Sequence, residues 1–474
     1  MASIALGQLR RRPAAFVGLA AALFLAIATV TLFGSLVAAE VGAPTDARKA
    51  PAGPGLMVIA GAFAEIAVLV ALFVVVNALG FALRQQHREL ALLRTVAATP
   101  RQARRLVRGQ VVATALLVAA PGWVVGAMAA RGFLAELQRR GMAAPGVRVP
   151  GTPVPMLVAL AVALVVGLAA SAVAARRISR IAPAAALTAS ATEHGRTGAL
   201  RLLVGIGALV GGGLLLRLAA TRPAEQLDKA GQAALFGALV LLVAVALAGP
   251  LAARVLAVVL GAPVRALAPG TGWLADANLR GYARRLSSAV VPVALLVGLS
   301  GTMSIMTRTA EYAASVTATA TAMATGAGTG TGTATATGVT SGTDVWLRQA
   351  ELALLVCFAA VSTVNTLVAV TADRRREFAL LRLVGATRAQ LLRMLTAEAV
   401  LTTAVGVLLG AAVAGAASAA FSTAVTGSAV PAVPAAACGW IVAGAAALTI
   451  PGILGTGLRT VRGPATEVVG GGRD

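Results

Sequence analysis

The sequence predicts an all-α polytopic membrane protein, with about ten transmembrane helices in two parallel four-span repeats joined by two extra spans. Apolar residues make up 58% of the 474-residue chain and charged residues only 12%. Several apolar runs exceed the roughly 18 residues that indicate a membrane-spanning helix. In addition, a charged segment at 86–99 recurs at 374–387. The chain therefore contains an internal repeat.

The spans follow one another between charged or proline-containing segments. We predict them at about 13–39, 56–83, 109–131, 154–175, 200–220, 231–260, 287–307, 346–371, 398–424 and 435–458. The first run follows Arg10, Arg11 and Arg12 and is longer than the roughly 7–15 apolar residues of a signal peptide. We therefore expect a retained span and a cytosolic amino terminus.

These spans divide the chain into three parts. Residues 1–190 hold the first repeat, residues 191–270 hold linker spans 5 and 6, and residues 271–474 hold the second repeat. Between spans 7 and 8, the low-complexity segment 313–343 consists almost wholly of Ala, Thr and Gly. It has few large apolar side chains for a core, so we expect disorder or a loose cap on the outer side.

The charge distribution predicts how the protein lies in its membrane. The formal net charge is +23, but the arginines are spread between apolar runs, which argues against a nucleic-acid partner. Most of the 40 lysines and arginines fall in segments that a cytosolic amino terminus would place in the cytosol, as the positive-inside rule requires. One outer loop, between spans 3 and 4, is an exception with Arg131, Arg139, Arg140 and Arg148.

Residue usage indicates the source and the compartment. Lys49 and Lys229 are the only lysines among abundant Ala, Gly, Val and Arg, a bias typical of a GC-rich bacterial genome. The expected location is therefore the bacterial plasma membrane, with the lipid bilayer as the surrounding partner.

The two charged segments match residue by residue. Nine of the twelve positions from Arg88 to Thr99 are identical to those from Arg376 to Thr387. The same alignment pairs Arg88, Glu89, Leu92 and Arg94 with Arg376, Glu377, Leu380 and Arg382, and it pairs Asn77 with Asn365 and Gln102 with Gln390. Leu380 and Val384 are four residues apart, so they share one face of a helix.

Each charged segment is predicted to form a short helix, a tight turn and a new helix that leads into the next span. Glu377 near the amino end complements the helix dipole, and a glycine at 385 favours a helix stop. Thr387 with Gln390 fits a capping box, and Pro100 suits the first position of a helix. The residues expected at these turns and caps are Thr99, Gln102, Gly385, Thr387 and Gln390.

The motif R-E-(F/L)-A-L-L-R-(L/T)-V-(G/A)-A-T after a spanning helix resembles the signature of FtsX-like permeases, the membrane subunits of MacB-type ABC transporters. The resemblance covers both four-span units. It implies that each charged segment is a coupling helix that docks on a separate cytosolic ABC ATPase. It also implies export of a hydrophobic or amphipathic compound such as a lipid, peptide or drug. The coupling residues so implied are Arg88, Glu89, Leu92, Arg94, Arg376, Glu377, Leu380 and Arg382. One such helix in each repeat predicts two ATPase copies.

The sequence departs from the family pattern at two places. Ala97 replaces the motif glycine in the first copy, so its turn is expected to be less sharp. Members of this class usually carry a sizeable extracellular domain between the first two spans of a repeat, whereas here those places hold only a short loop and the segment 313–343. Capture of substrate by a folded outer domain is therefore in question.

The chain offers no nucleotide or metal site of its own. A P-loop requires Gly-Lys-Ser/Thr, but Lys49 follows Arg48 and Lys229 follows Asp228. We therefore expect no cofactor in this chain and place ATP and Mg in the partner. His87 and His194 are the only histidines, and they suggest neither a metal cluster nor a hydrolase.

Three alternatives remain at this stage. An ion-coupled secondary transporter needs ionisable groups at membrane depth, for which Glu65 in span 2 is the candidate, while Asn77 and Asn365 fit interhelical hydrogen bonding better. A mechanotransmitting permease would instead regulate an enzyme on the outer surface. An interfacial helix whose arginines meet lipid phosphates would explain the charge but not the shared register of Glu89 and Glu377.

Overall fold

The structure is a computed structural model. It describes residues 13–43, 55–85, 100–178, 197–223, 226, 229–248, 283–324, 342–372 and 375–462. Over these ranges the chain is almost entirely helical and contains no β-strand. Ten of the described helices are long and apolar enough to cross a membrane. The predicted all-α polytopic fold is thus confirmed.

The helices of the described ranges are numbered in chain order. They are α1 (Pro13–Val41), α2 (Leu56–Gln85), α3 (Pro100–Arg139), α4 (Val154–Ile178), α5 (Thr197–Ala220), α6 (Lys229–Ala248), α7 (Ala283–Ala324), α8 (Gly342–Ala372), α9 (Arg375–Leu383), α10 (Arg388–Thr426) and α11 (Ala435–Arg462). The nine-residue helix α9 is too short to span a bilayer.

The chain forms two compact units, residues 1–194 and 195–474. The first unit holds α1 to α4, and the second holds α5 to α11, so the two extra helices α5 and α6 are grouped with the second repeat. In the first unit α1 packs on α2, α3 and α4, and α4 also packs on α2 and α3. In the second unit α7 packs on α8, α10 and α11, and α11 also packs on α8 and α10. The repeat in the sequence is therefore a repeat in packing.

Small residues permit a close helix contact in the first unit, between α1 and α3. A Cβ atom added at Gly122 would lie 3.0 Å from Ile27 Cγ2, and one added at Gly126 would lie 2.8 Å from Thr31 Cβ. Glycines four residues apart let two helix backbones approach closely within a membrane. Residue numbers rise together along both helices, so α1 and α3 run parallel.

The second unit repeats this contact between α7 and α10. A Cβ atom at Gly410 would lie 2.8 Å from Val297 Cβ, and one at Gly301 would lie 3.0 Å from Ala414 Cβ. The alignment of the charged segments pairs Gly122 with Gly410 and Gly126 with Ala414. The two units therefore share not only the helix pair but also its register.

Three helices are longer than the spans predicted from sequence. Helices α3, α7 and α10 contain 40, 42 and 39 residues, or about 60 Å at 1.5 Å per residue. A bilayer hydrocarbon core is only about 30 Å thick. Each of these helices therefore extends well beyond the hydrocarbon core.

The expectation of disorder or a loose cap at 313–343 is wrong for its first part, because α7 continues as a helix to Ala324. Alanine is the strongest helix former, and the threonine hydroxyls bond within the helix. Thr317 Oγ1 donates to the Ala313 carbonyl oxygen at 2.9 Å, and Thr319 Oγ1 donates to that of Ser315 at 2.9 Å. Residues 325–341 lie outside the described ranges.

Candidate functional site

The second charged segment forms α9, which lies between the ends of α8 and α10. Glu377 occupies its first turn and Arg382 its last turn. Both charges complement the helix dipole, since a carboxylate is favoured at the amino end and a cation at the carboxyl end. Both side chains are half-buried.

One face of α9 is anchored to the spans through Phe378. This side chain is 1% exposed and belongs to a cluster with residues of α7, α8, α10 and α11. The other buried members are Ala289, Leu367, Leu391, Met394, Leu395, Ala399 and Ile453. Removing a buried phenylalanine side chain costs about 3–5 kcal/mol. The short helix is thereby held firmly against four spans.

Sequence reasoning missed Phe378, although a signal was present. It is the only aromatic residue of the charged segment, and the first copy has Leu90 at the same place. Both copies have a large apolar residue directly after the matched glutamate. Such a residue can anchor a short helix by packing into the core.

The carboxyl end of α9 closes in a Schellman motif. The Ala386 amide donates to the Leu381 carbonyl oxygen at 3.0 Å, and the Gly385 amide donates to that of Arg382 at 3.1 Å. Gly385 has φ +102°, a left-handed conformation that is unfavourable for residues with a Cβ atom. Leu381 and Ala386 pack against the Phe378 cluster, as is common for this motif.

The next helix, α10, starts with the capping box expected at Thr387 and Gln390. Thr387 Oγ1 accepts from the Gln390 amide at 3.2 Å, and the Gln390 side chain accepts from the Thr387 amide at 2.9 Å. Only Val384, Gly385, Ala386 and Thr387 separate α9 from α10, and their backbone bonds leave little freedom. The two helices are therefore joined by a defined turn.

The opposite side of α9 presents apolar side chains that the rest of the unit leaves uncovered. Leu380 is 46% exposed, Leu383 is 52% exposed and Val384 is 89% exposed. We call these three residues the apolar face of α9. Leu380 and Val384, which sequence spacing placed together, both lie there. Exposed Arg388 and Gln390 follow at the start of α10, so a polar margin adjoins the apolar face.

The first charged segment lies outside the described residues. This applies to Arg88, Glu89, Leu92, Arg94 and Thr99, as well as to the side chains of Arg376 and Asn77. The helix after that segment, α3, begins at Pro100, the expected first helical position. Gln102 is exposed in its first turn.

The intramembrane polar candidates lie in different surroundings. Glu65 is exposed on α2, in the first unit, whereas Asn365 is half-buried in α8, in the second. Within the described ranges, no three His, Cys, Asp or Glu side chains are grouped so as to hold a metal ion.

Fold and packing define a class: a polytopic helical membrane protein built from two units that each contain a four-span repeat. In the part of the chain that the structure describes, the second repeat has a short anchored helix between its second and third spans. The family model of the FtsX-like permease C-terminal domain matches residues 61–183 and again residues 350–459. The chain therefore belongs to the FtsX-like permeases, and it is the membrane subunit of an ABC transporter. A search of curated proteins finds no match.

The two family matches fall on equivalent parts of the two units. The first runs from α2 to α4 across the first charged segment, and the second runs from α8 to α11 across α9. The family generally works with an ABC ATPase and is not itself catalytic.

Proposed function

We propose that this chain is the permease of a MacB-type ABC exporter, driven by a separate cytosolic ATPase that docks on α9 and on the equivalent segment 86–99. The cargo is a hydrophobic or amphipathic compound such as a lipid, peptide or drug. ATP and Mg²⁺ bind in the partner. The protein lies in the bacterial plasma membrane with a cytosolic amino terminus. In this orientation both charged segments would face the cytosol.

The observation that carries this proposal is that α9 has two apolar faces, one buried and one exposed. Phe378 and Leu381 pack into the spans, while Leu380, Leu383 and Val384 remain exposed. A helix that needed only its own unit for stability would not require the second face. Apolar residues bordered by polar ones are typical of a protein-binding surface.

The connections of α9 support transmission of motion. The cluster around Phe378 joins α9 to α7, α8, α10 and α11, and the Schellman turn and capping box join it to α10. Packed cores and short hydrogen-bonded turns move as rigid bodies. A displacement of α9 would therefore be passed to four spans together, and α10 would carry it across the membrane.

The repeat supports two docking positions. The segments 86–99 and 374–387 match closely in sequence, and each lies within one of the two family matches. We infer that one chain binds two ATPase copies, with Arg88, Glu89, Leu92 and Arg94 serving in the first position. Arg376, Glu377, Leu380 and Arg382 serve in the second.

Substitution of Val384 by glutamate tests the docking proposal. Because Val384 is 89% exposed, Val384→Glu places a charge on the apolar face without disturbing the core. We expect the partner ABC ATPase to bind the α9 position of the variant roughly tenfold more weakly, as loss of one interface anchor of about 1.4 kcal/mol implies. Less ATPase should therefore co-purify with the variant than with the wild-type chain, the remainder being held at the intact segment 86–99.

Val430→Glu is the matched control. Val430 is 79% exposed in the loop between α10 and α11, at the other end of α10 from Val384. This variant should retain the full amount of ATPase. Equal co-purification with both variants would refute docking on α9.

A further inference from the structure

The outer end of the α3–α4 hairpin departs from the charge rule that most of the chain follows. Under the orientation proposed above it lies outside, yet Arg131 and Arg139 lie in the last part of α3, and Arg140 and Arg148 lie in the loop that follows. Positive residues are disfavoured in short outer segments. Four of them so close in sequence require a reason that topology does not supply.

The loop is held in a fixed conformation. Gly141 turns the chain with φ +73°, and Met142 and Val147 are buried beneath it. Gln138 Nε2 donates to the carbonyl oxygen of Ala144 at 3.0 Å and to that of Val147 at 2.9 Å. The arginines are therefore presented on an ordered support.

Their charge is only partly neutralised within the unit. Glu136, the single acid of this region, pairs with Arg139 at 2.6 Å and with Arg140 at 2.8 Å. Among the described residues neither Arg131 nor Arg148 forms an ion pair, and both are exposed. A net positive surface remains.

The position of Arg131 identifies what this surface meets. Leu117, Val124 and Met128 are exposed on α3. Their spacings of seven and four residues put them on one helix face, and Arg131, three residues after Met128, lies on the same face. Exposed apolar residues on a spanning helix face lipid tails. The apolar run of α3, about 109–131, is about 34 Å long, so Arg131 lies where the hydrocarbon ends.

Arg148 lies at the same end of the unit, in the part of the loop that leads into α4. It lies six residues before Val154, the first residue of α4, and α3 and α4 pack together. The corresponding loop of the second unit, 427–434, contains no charged residue. The equivalent loop of the second unit therefore lacks this basic surface, which is also separate from the repeated docking elements.

We propose that the outer end of the α3–α4 hairpin binds the phosphate headgroup of anionic lipids in the outer leaflet, with Arg131 and Arg148 as the contacting residues. Guanidinium groups match phosphate oxygens in charge and geometry. The lipid-facing residues that precede Arg131 on α3 would contact the tails of a lipid whose headgroup binds Arg131. This proposal uses the proposed orientation but does not depend on ATPase docking.

The test counts bound lipid on the purified full-length chain by native mass spectrometry after exchange into phosphatidylglycerol or phosphatidylcholine. The wild-type chain should retain phosphatidylglycerol preferentially. Arg131→Gln/Arg148→Gln should reduce that retention by roughly tenfold, since each arginine near an anionic surface contributes a few-fold. The charge-preserving variant Arg131→Lys/Arg148→Lys should restore most of the phosphatidylglycerol retention. That result would show that loss of charge, not misfolding, causes the reduction.

A matched control removes two positive charges from the same side of the second unit. Arg217 and Arg308 are exposed there, and Arg217→Gln/Arg308→Gln should leave lipid retention unchanged. Equal retention by all variants overturns the proposal. So does displacement of the lipid by millimolar sn-glycerol 1-phosphate, because the site would then bind a soluble anion.

Accessibility of Gly146→Cys separates this proposal from the proposed topology. Labelling by an impermeant maleimide on intact cells is expected. If the cysteine is protected, the orientation is wrong and both proposals fall. If it is labelled but no anionic lipid binds, only the headgroup site is refuted.

Discussion

Gly385 determines how α9 ends and how α10 begins. Its φ of +102° is required by the Schellman bonds to Leu381 and Arg382. In Gly385→Ala, a left-handed residue with a Cβ atom costs about 1–2 kcal/mol. We expect amide hydrogen exchange across residues 375–386 to accelerate by roughly 5-fold to 30-fold, measured by mass spectrometry on the purified chain.

Gly415→Ala is the control for this change. Gly415 lies within α10, and nothing lies within 4 Å of a Cβ atom added there. Exchange in α9 should stay as in the wild-type chain. If Gly385→Ala leaves exchange across 375–386 unaltered, the Schellman turn does not stabilise α9.

At the scale of single residues, the sequence correctly predicts the features that depend only on residues close together in the chain. The capping pair Thr387 and Gln390 and the stop at Gly385 depend on bonds between near neighbours, so the order of residues predicts them. The burial of Phe378 depends on Leu395 and Ile453, which come from other helices. Spacing alone cannot identify such partners. The consequence of Ala97 in the first copy stays a prediction, because residue 97 lies outside the described ranges.

Among the helices, the parallel pairing of α7 with α10 depends on close approach at Gly410. A Cβ atom there would lie 2.8 Å from the Ala294 carbonyl oxygen and 2.9 Å from the Gly298 amide nitrogen. Backbone atoms cannot move aside independently, so Gly410→Val must push the helices apart, at a cost of about 1–3 kcal/mol. We expect a lower thermal unfolding midpoint in detergent.

Gly415→Val tests whether valine itself is responsible. It introduces the same β-branched residue into the same helix, where open space is available. Its unfolding midpoint should stay close to that of the wild-type chain. Equal midpoints for the two valine variants would show that the contact at Gly410 does not hold the unit together.

At the scale of helices, the sequence predicted the number of spans better than their lengths. The capping signals predicted that α3 and α10 begin well before their apolar runs. Hydropathy detects only the part of a helix that lipid surrounds, so the continuation of α3 beyond Arg131 and of α7 beyond Thr307 was missed. The error at 313–324 has a related cause. Alanine and threonine offer no core but can continue a helix that is already nucleated, since adding residues to an existing helix costs little.

For the whole molecule, the two repeats are predicted to have the same orientation. Six spans lie between the segments 86–99 and 374–387, so both segments should lie on one side of the membrane. In a background with Cys357→Ala and Cys438→Ala, we expect Gln86→Cys and Arg374→Cys to be protected from an impermeant maleimide on intact cells. Either cysteine should react once the cells are opened, and labelling of only one on intact cells would rule out parallel repeats.

The packing scheme explains why a repeat can be read from this sequence. The contacts Gly122–Ile27 and Gly410–Val297 constrain small residues to equivalent positions, just as the charged segments constrain theirs. The grouping of α5 and α6 with the second unit has no such sequence signature. It depends on a buried cluster in which Ala230 and Ala234 of α6 join Met306 of α7 and Phe421 of α10, and such a cluster appears only once the chain is folded.

The central claim is that an ATPase on another polypeptide touches the apolar face of α9. Its most direct test is photo-crosslinking of a benzoylphenylalanine residue placed at Val384 or, as control, at Val430, in an active reconstituted complex. The account predicts a crosslink to the ATPase from position 384 and none from position 430. Absence of a crosslink at 384 in a complex that still transports, or transport down an ion gradient without any ATPase, would contradict it.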